Sequence, residues 1–207
     1  IVLGIYFLTS GIFKDVDGHE MFNNCLPDDY PQITGVVDKK KLFDALNDIK
    51  DRYSEDQTKQ VLDEIKSLGF HYATVGGISL SVDDFIIPES KSKVVSKGKL
   101  KISEVEKLYR DGVITNGERY NKVITIWDGV TDKVSKDMVK RLEQEDYIAC
   151  ENKKGIEEFN SVFMMVDSGA RGSRQQIRQL GGMRGLMAKP SGDIMETPVL
   201  ANFKDGL

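Results

Sequence analysis

Two apolar stripes with helical spacing, separated by a few turn residues, constrain this chain more than any other feature of its sequence. The first stripe lies within residues 89–111, with apolar side chains spaced for one helical face, and the second lies within 123–142, with apolar side chains every three or four positions. Gly112 interrupts the pattern, and Thr115 to Glu118 matches the capping box with which helices begin. Each stripe is narrow and leaves three polar sides. We therefore predict an antiparallel helical hairpin that projects from a body instead of forming its core.

The residues before the helical hairpin are predicted to form the body from which it projects. One helix begins at Asp38 and another runs from Glu55 to Leu68, with Gly69 at its C-terminal cap. Residues 70–87 are rich in β-branched side chains, and residues 1–9 suit a buried strand or a short core helix. The predicted fold class is α+β: mostly helical, with a small mixed sheet in the body and the protruding hairpin. The apolar stripe of the first helix consists of Leu42, Phe43, Leu46 and Ile49.

Composition argues against several classes of protein. The 207 residues carry a formal net charge of −4, which disfavours non-specific coating of nucleic acid. No apolar run approaches the roughly 20 residues of a membrane-spanning helix, and the opening segment lacks the features of a signal peptide. It also lacks a Met, which suggests a piece of a longer chain. Cys25 and Cys150 form no CxxC pair, so we expect incidental thiols in a reducing cytoplasm.

A glycine-rich turn at residues 169–173 is the first candidate site. It leads into a helix-like segment, residues 174–180, and such a turn can cradle an anion because free N–H groups point outward there. Arg171 would add a planar fork that matches phosphate oxygens. The spacing fits neither a Walker loop nor a dinucleotide turn. The alternative is that the glycines simply allow a tight turn and Ser173 caps a helix.

The tail after Ser168 is locally positive in an acidic chain. Its basic residues outnumber its acidic ones, which suits an anionic ligand, although a solvated face is the commoner explanation of such a bias. The glycines within residues 181–185 weaken a helix and favour a bend or a close approach.

Other candidates are weak. Asp83 and Asp84 are adjacent and more readily shape a turn than bind a metal, and His19 and His71 have no ligand-spaced partners. No nucleophile, base and orienting group come together in the pattern. From the residues we predict no catalytic residue and no metal site.

The order of motifs along the chain resembles one family. The runs 164–173, 176–180, 182–190, 196–198 and 201–203 closely resemble the β′ subunits of bacterial RNA polymerases. Upstream, residues 117–124 with Trp127 resemble the second rim helix of the secondary channel, and parts of 68–89 resemble the end of the pore domain. The resemblance covers the whole chain and is strongest from Phe70 onward.

The resemblance implies three regions and an enzyme whose chemistry lies elsewhere. Residues 1–87 would end the pore domain, 88–150 would form the rim-helix hairpin, and 151–207 would lead to the bridge helix. The family transfers nucleotidyl groups with two metal ions on an aspartate-rich loop that this sequence lacks. No cofactor is therefore expected in the chain itself, Mg²⁺ would bind outside it, and the isolated chain would be inactive.

Roles for individual residues also follow from the resemblance. Arg171 would meet the phosphates of the incoming nucleotide, and Glu118, Asn121 and Lys122 would form a docking site on the rim. The bracing loop, residues 176–187, would support the bridge helix. Its site residues would be Gln176, Arg178, Met183, Arg184 and Met187.

Partners and location follow in the same way. The implied partners are the β, α and ω polymerase subunits, secondary-channel transcription factors, nucleoside triphosphates, DNA and RNA. The implied place is the cytoplasm, associated with the nucleoid and away from membranes.

Two departures and two alternatives accompany this interpretation. Arg174 and Gln175 stand where the family usually has small residues, and Ser92 to Lys101, with Gly98, is a poor stretch for a continuous helix. One alternative is a stand-alone interaction module that binds a protein through the hairpin. The other is an isolated phosphate-binding domain.

Overall fold

The computed structural model describes residues 1–11, 16–151 and 160–206, without the side chains of 145–151, and most of these residues are helical. The mostly helical prediction is therefore confirmed. The helices are α1 (Val2–Thr9), α2 (Gly18–Asn23), α3 (Lys39–Arg52), α4 (Glu55–Gly76), α5 (Lys91–Arg110), α6 (Asn116–Glu151), α7 (Ser161–Asp167) and α8 (Arg174–Ile177), which continues into a π-helical turn, Arg178–Gly182.

The predicted small mixed sheet is not found. The described residues contain no β-strand, and their β pairing is limited to two antiparallel bridges, Gly185 with Val199 and Ala188 with Ile194. Part of the β-branched segment 70–87 belongs to α4, because its residues continue the buried helical face. Packing here overrides the intrinsic preference for strand.

Gly69 is not the C-terminal cap of α4, so that prediction is wrong. The helix continues to Gly76 and is capped by Gly77, whose φ of +54° suits a residue without a Cβ. Gly69 lies buried inside the helix, where a Cβ would approach the Cα of Ile1 to 2.8 Å. A Cβ on Gly4 would collide with the Gly69 carbonyl oxygen. These two glycines therefore allow the backbones of α1 and α4 to pack directly against each other.

The first compact unit comprises residues 1–84 and 144–173. Thr9 ties its helices together: its buried hydroxyl donates to the Ile5 carbonyl at 2.9 Å and accepts from the Val37 N–H at 3.0 Å. Asp38 caps α3 as predicted, but Phe43 is 64 % exposed and Ala45 is buried on that helix. The main core of the unit consists of Ile5, Phe22, Leu26, Val37, Leu42, Ile49, Val61 and Ile65.

The second compact unit comprises residues 85–143 and 174–207. Its contacts between α5 and α6 run in antiparallel order along the two helices. Arg119 meets Glu106, a Cβ on Gly98 would meet Val130, and Ser90 bonds Asp137. The buried face of α6 consists of Val123, Trp127, Val130, Val134, Met138 and Leu142, as the spacing predicts.

A further expectation about this region is wrong. The helix α5 is continuous through Gly98, because the bare backbone of Gly98 packs against Val130 with no room for a Cβ. The helix α6 extends beyond its apolar stripe as far as Glu151, and residues 152–159 lie outside the described part of the chain.

The predicted functional regions, with boundaries at residues 87 and 150, are a separate division that this packing does not test. Among the helices in the described ranges, none is both long and apolar enough to cross a membrane.

Candidate functional site

The turn that carries Arg171 is held by hydrogen bonds within the first unit. It follows α7 and turns through Gly169 and Gly172, with φ of +70° and +88°. Ser168 is fully buried: its carbonyl accepts from the Lys39 N–H at 2.9 Å, and its hydroxyl accepts from the Ala170 N–H at 3.2 Å. The conformation of the turn is therefore set by the fold.

Arg171 projects from this turn as an exposed side chain. Its backbone N–H donates to the Met165 carbonyl at 3.2 Å, which fixes the root of the side chain. Within the described part of the chain, its guanidinium takes part in none of the ion pairs. An exposed guanidinium on a fixed backbone is well suited to bind an anion from outside the unit.

The bracing-loop residues lie in the second unit in very different surroundings. Gln176 is exposed on α8, whereas Met183 is fully buried in the hydrophobic core beside the Thr131 hydroxyl. Arg178 is half-buried in the π-helical turn. The half-buried Arg184 places its guanidinium 5.1 Å from the centre of the Phe203 ring. A single surface cannot contain all of these side chains.

An antiparallel pair of backbone arms orders the rest of this loop, residues 184–189 and 193–201, which we call the C-terminal hairpin. Gly185 and Val199 exchange N–H···O bonds of 3.0 and 2.9 Å. The Met195 N–H donates to the carbonyl of half-buried Met187 at 2.8 Å. Asn202, fully buried, donates to the carbonyls of Gly181 and Gly182 and so fixes the turn before the first arm.

The rim residues lie in the first turns of α6. Thr115 and Glu118 form the predicted capping box: the Thr115 N–H donates to the Glu118 carboxylate at 2.8 Å, and the Glu118 N–H donates back to Thr115 Oγ1 at 3.3 Å. The bond from the Thr115 backbone lowers the pKa of Glu118 from its ordinary value. Asn121 and Lys122 are exposed beside it. The three residues thus form one accessible polar surface.

Comparisons with known proteins show which family this chain resembles. The family profile "RNA polymerase Rpb1, domain 4" matches residues 114–206, which include the rim residues, Arg171 and the bracing loop. The DNA-directed RNA polymerase subunit β′ of Sulfurihydrogenibium sp. (strain YO3AOP1) is 45% identical over 196 residues, 95% of this chain and 12% of the relative.

Two other β′ subunits are similar over most of the chain. That of Koribacter versatilis (strain Ellin345) is 50% identical over 177 residues, 86% of this chain and 12% of the relative. That of Methylacidiphilum infernorum (isolate V4) is 42% identical over 196 residues, 95% of this chain and 14% of the relative.

The chain belongs to the β′ subunit family of DNA-directed RNA polymerases. It spans 12–14% of the length of these curated relatives.

Arg119 is the residue of this β′ segment whose importance the sequence did not reveal. Its guanidinium forms two parallel bonds with Glu196, of 2.6 and 2.9 Å, and a third with Glu106 at 3.0 Å. These bonds, chiefly those with Glu196, raise the pKa of Arg119. The bonds from Arg119 in turn lower the pKa of Glu196. The only sequence signal was the presence of an arginine beside the capping box.

A basic groove between α5 and α6 was also missed. Its cavity volume is about 680 Å³, and its floor is apolar around Val94 and Val130. None of its four lysines takes part in an ion pair among the described residues. They are Lys93, Lys97, Lys101 and Lys133. Three of the four are separated by four positions on α5, which the sequence could have shown as a stripe.

The weaker candidates have structural surroundings. Asp84 accepts the Ser81 N–H at 2.7 Å and so shapes a turn. His71 packs edge-on against Tyr72, and burial raises the pKa of the half-buried Cys25 thiol. The Cys150 side chain lies outside the described part. No three His, Cys, Asp or Glu side chains in the described ranges gather as metal ligands do.

Proposed function

We propose that this chain is a segment of the largest catalytic subunit of a bacterial DNA-dependent RNA polymerase and forms part of the wall of its secondary channel. Nucleoside triphosphates would pass through that channel to the active centre. The supporting observation is the exposed Arg171 on a hydrogen-bonded glycine turn, in a chain 45% identical to a β′ subunit over 95% of its length.

The segment would act only within the assembled enzyme. Its partners would be the β, α and ω subunits, with DNA and RNA in the complex. The metal-dependent step would use Mg²⁺ on an aspartate-rich loop outside this chain, so no residue here is proposed to be catalytic.

Arg171 would act on the substrate by electrostatics. A guanidinium forms charge-assisted, bidentate bonds with phosphate oxygens, and it keeps its charge at any physiological pH. Because the backbone of the turn is already fixed, little ordering would accompany the contact. Arg171 would therefore help to hold the triphosphate of the incoming nucleotide.

The helical hairpin formed by α5 and α6 would serve as a docking site for transcription factors that act through the secondary channel. Glu118, Asn121 and Lys122 present one negative, one neutral and one positive group on the same exposed turns of α6. The basic groove along α5 adds a positive surface that favours a partner with acidic side chains.

The test of the nucleotide contact is the dependence of RNA synthesis on nucleotide concentration. In a polymerase assembled with the full-length subunit, Arg171→Ala should raise the apparent KM about tenfold, the value of one charge-assisted bond. Arg174→Ala is the matched control, because Arg174 is another exposed arginine three positions along the chain. Unchanged nucleotide dependence in Arg171→Ala would contradict the proposed contact.

A further inference from the structure

Arg119 is hydrogen-bonded through its whole guanidinium group. Its five N–H donors are all engaged: Nε and Nη2 with Asn116, Nη1 with Glu106 and Glu196, and Nη2 again with Glu196. Its guanidinium also lies 5.5 Å from the centre of the Tyr109 ring. The side chain is only 14% exposed. The fork is therefore held in one orientation.

The partners of Arg119 belong to three different parts of the unit. Asn116 begins α6, Glu106 lies on α5, and Glu196 lies on the second arm of the C-terminal hairpin. A second bond supports the same attachment, because the Tyr120 hydroxyl donates to the Ile194 carbonyl at 2.9 Å. The first turn of α6 thus holds the second arm of the hairpin at two points.

The second arm in turn holds the first arm. The Met195 N–H donates to the Met187 carbonyl, and Val199 and Gly185 each donate a backbone hydrogen bond to the other. Arg184 and Met187, both predicted bracing-loop residues, therefore stand on an arm that is hydrogen-bonded to the arm of Glu196. In the described residues the arms pair only through two isolated β-bridges and contain no β-strand, so few backbone bonds resist their movement.

We infer that Arg119 is a positioning residue of the bracing loop: by holding Glu196, it fixes the arm that carries Arg184 and Met187 against the first turn of α6. The functional consequence rests on the role proposed above for this loop. Arg119 touches no reacting group. It acts through Glu196, and its effect is on how fast the enzyme advances rather than on how tightly nucleotide binds.

The geometry also predicts which replacements matter. Arg119→Lys keeps the positive charge but loses the planar fork that pairs with both oxygens of Glu196. Glu196→Gln keeps the size of the side chain and removes the charge. Neither change leaves a fully buried charge unpaired: in Arg119→Lys the two glutamates are about two-fifths exposed, and in Glu196→Gln the Arg119 guanidinium keeps its bond with Glu106. These variants should therefore fold.

The first measurement is hydrogen exchange of peptide 184–201 in polymerase assembled with the full-length subunit. Arg119→Ala should make the amides of Gly185, Met195 and Val199 exchange about tenfold faster, since loss of the contact with Glu196 should favour local opening of the C-terminal hairpin. Arg119→Lys should give an intermediate effect. The control is Arg52→Ala, which breaks the exposed pair between Arg52 and Asp48. Unchanged exchange in Arg119→Ala would overturn the inference.

The second measurement separates positioning from a merely structural role. Arg119→Ala and Glu196→Ala should each lower the maximal elongation rate several-fold and leave the nucleotide KM close to the parent value. The double variant should be no slower than either single variant, because both remove the same contact. Faster exchange with an unchanged elongation rate, or additive losses, would overturn the positioning role. Failure of the Arg171→Ala test would count against the proposed nucleotide contact alone, since exchange reports on the pair directly.

Discussion

Glu118 illustrates how one exposed carboxylate stabilises a helix start while remaining accessible to a partner. It accepts the Thr115 N–H and hydroxyl at 2.8 and 3.0 Å, and these bonds lower the pKa of its carboxyl group. A group whose pKa is lowered by folding stabilises the fold above its ordinary pKa and loses that contribution as pH falls through the folded value. The ordinary value is 4.5.

This sign leads to a prediction for pH-dependent stability. Glu118→Gln should lower the melting temperature of the chain near pH 7, and the difference from the parent should vanish as pH falls well below 4.5. Thermal unfolding followed by circular dichroism across pH 3–7 measures it. The control is Glu104→Gln, at an exposed position on α5. A difference that persists at the lowest pH would show that the ionised carboxylate is not the stabilising form.

Single residues also show where sequence analysis stops. The capping box was predictable because Thr115 and Glu118 are three positions apart, within reach of a local pattern. Arg119 was not, because its two charged partners, Glu106 and Glu196, lie 13 and 77 positions away and belong to other elements. Arg171 was predicted as a site residue from the glycine turn together with the family resemblance. Its contact with nucleotide phosphate stays a prediction that the KM measurement tests.

At the scale of elements, long periodic helices were predictable and helix ends were not. The apolar stripe of α6 repeats often enough to fix its buried face. The end of α4 was misplaced because a glycine after an apolar stripe normally marks a cap, whereas Gly69 serves a helix crossing. Crossing partners are distant in sequence, so no local pattern distinguishes these two uses of glycine.

The crossing predicts opposite effects for two glycine replacements. Gly69→Ala should lower the free energy of unfolding by roughly 1–3 kcal/mol, because the new methyl group meets the backbone of Ile1. Gly129→Ala, in a helix with open space around it, should raise that free energy by about 1 kcal/mol. Denaturant titration of both variants measures the two changes. A Gly69→Ala variant as stable as the parent would contradict the close approach of α1 and α4.

At the scale of the whole molecule, residues that pack into one compact unit are not contiguous along the chain. Each compact unit is assembled from two stretches separated by at least 30 residues of chain, a feature that no linear division could provide. Packing also explains why the predicted sheet is not found among the described residues, because burial on α4 decided the conformation of part of the β-branched segment. Family membership, in contrast, follows from motif order and needed no knowledge of packing.

Docking on the hairpin gives a prediction for the assembled enzyme. Replacing Glu118 and Lys122 together by Gln should weaken binding of a secondary-channel transcription factor about tenfold, through loss of complementary charge, and leave basal elongation unchanged. Glutamine at 118 retains the capping pattern, so the helix start should persist. The matched control replaces Glu104 and Lys107, an exposed pair on α5. Equal binding in the two double variants would contradict a docking role for these rim residues.

The proposed contact between Arg171 and nucleotide phosphate can be tested most directly by electron cryo-microscopy of the assembled polymerase containing this chain, with an incoming nucleoside triphosphate bound. We predict that the Arg171 guanidinium lies at hydrogen-bonding distance, about 3 Å, from a phosphate oxygen. A bound triphosphate more than about 8 Å from Arg171, beyond the screening length at physiological salt, would contradict it.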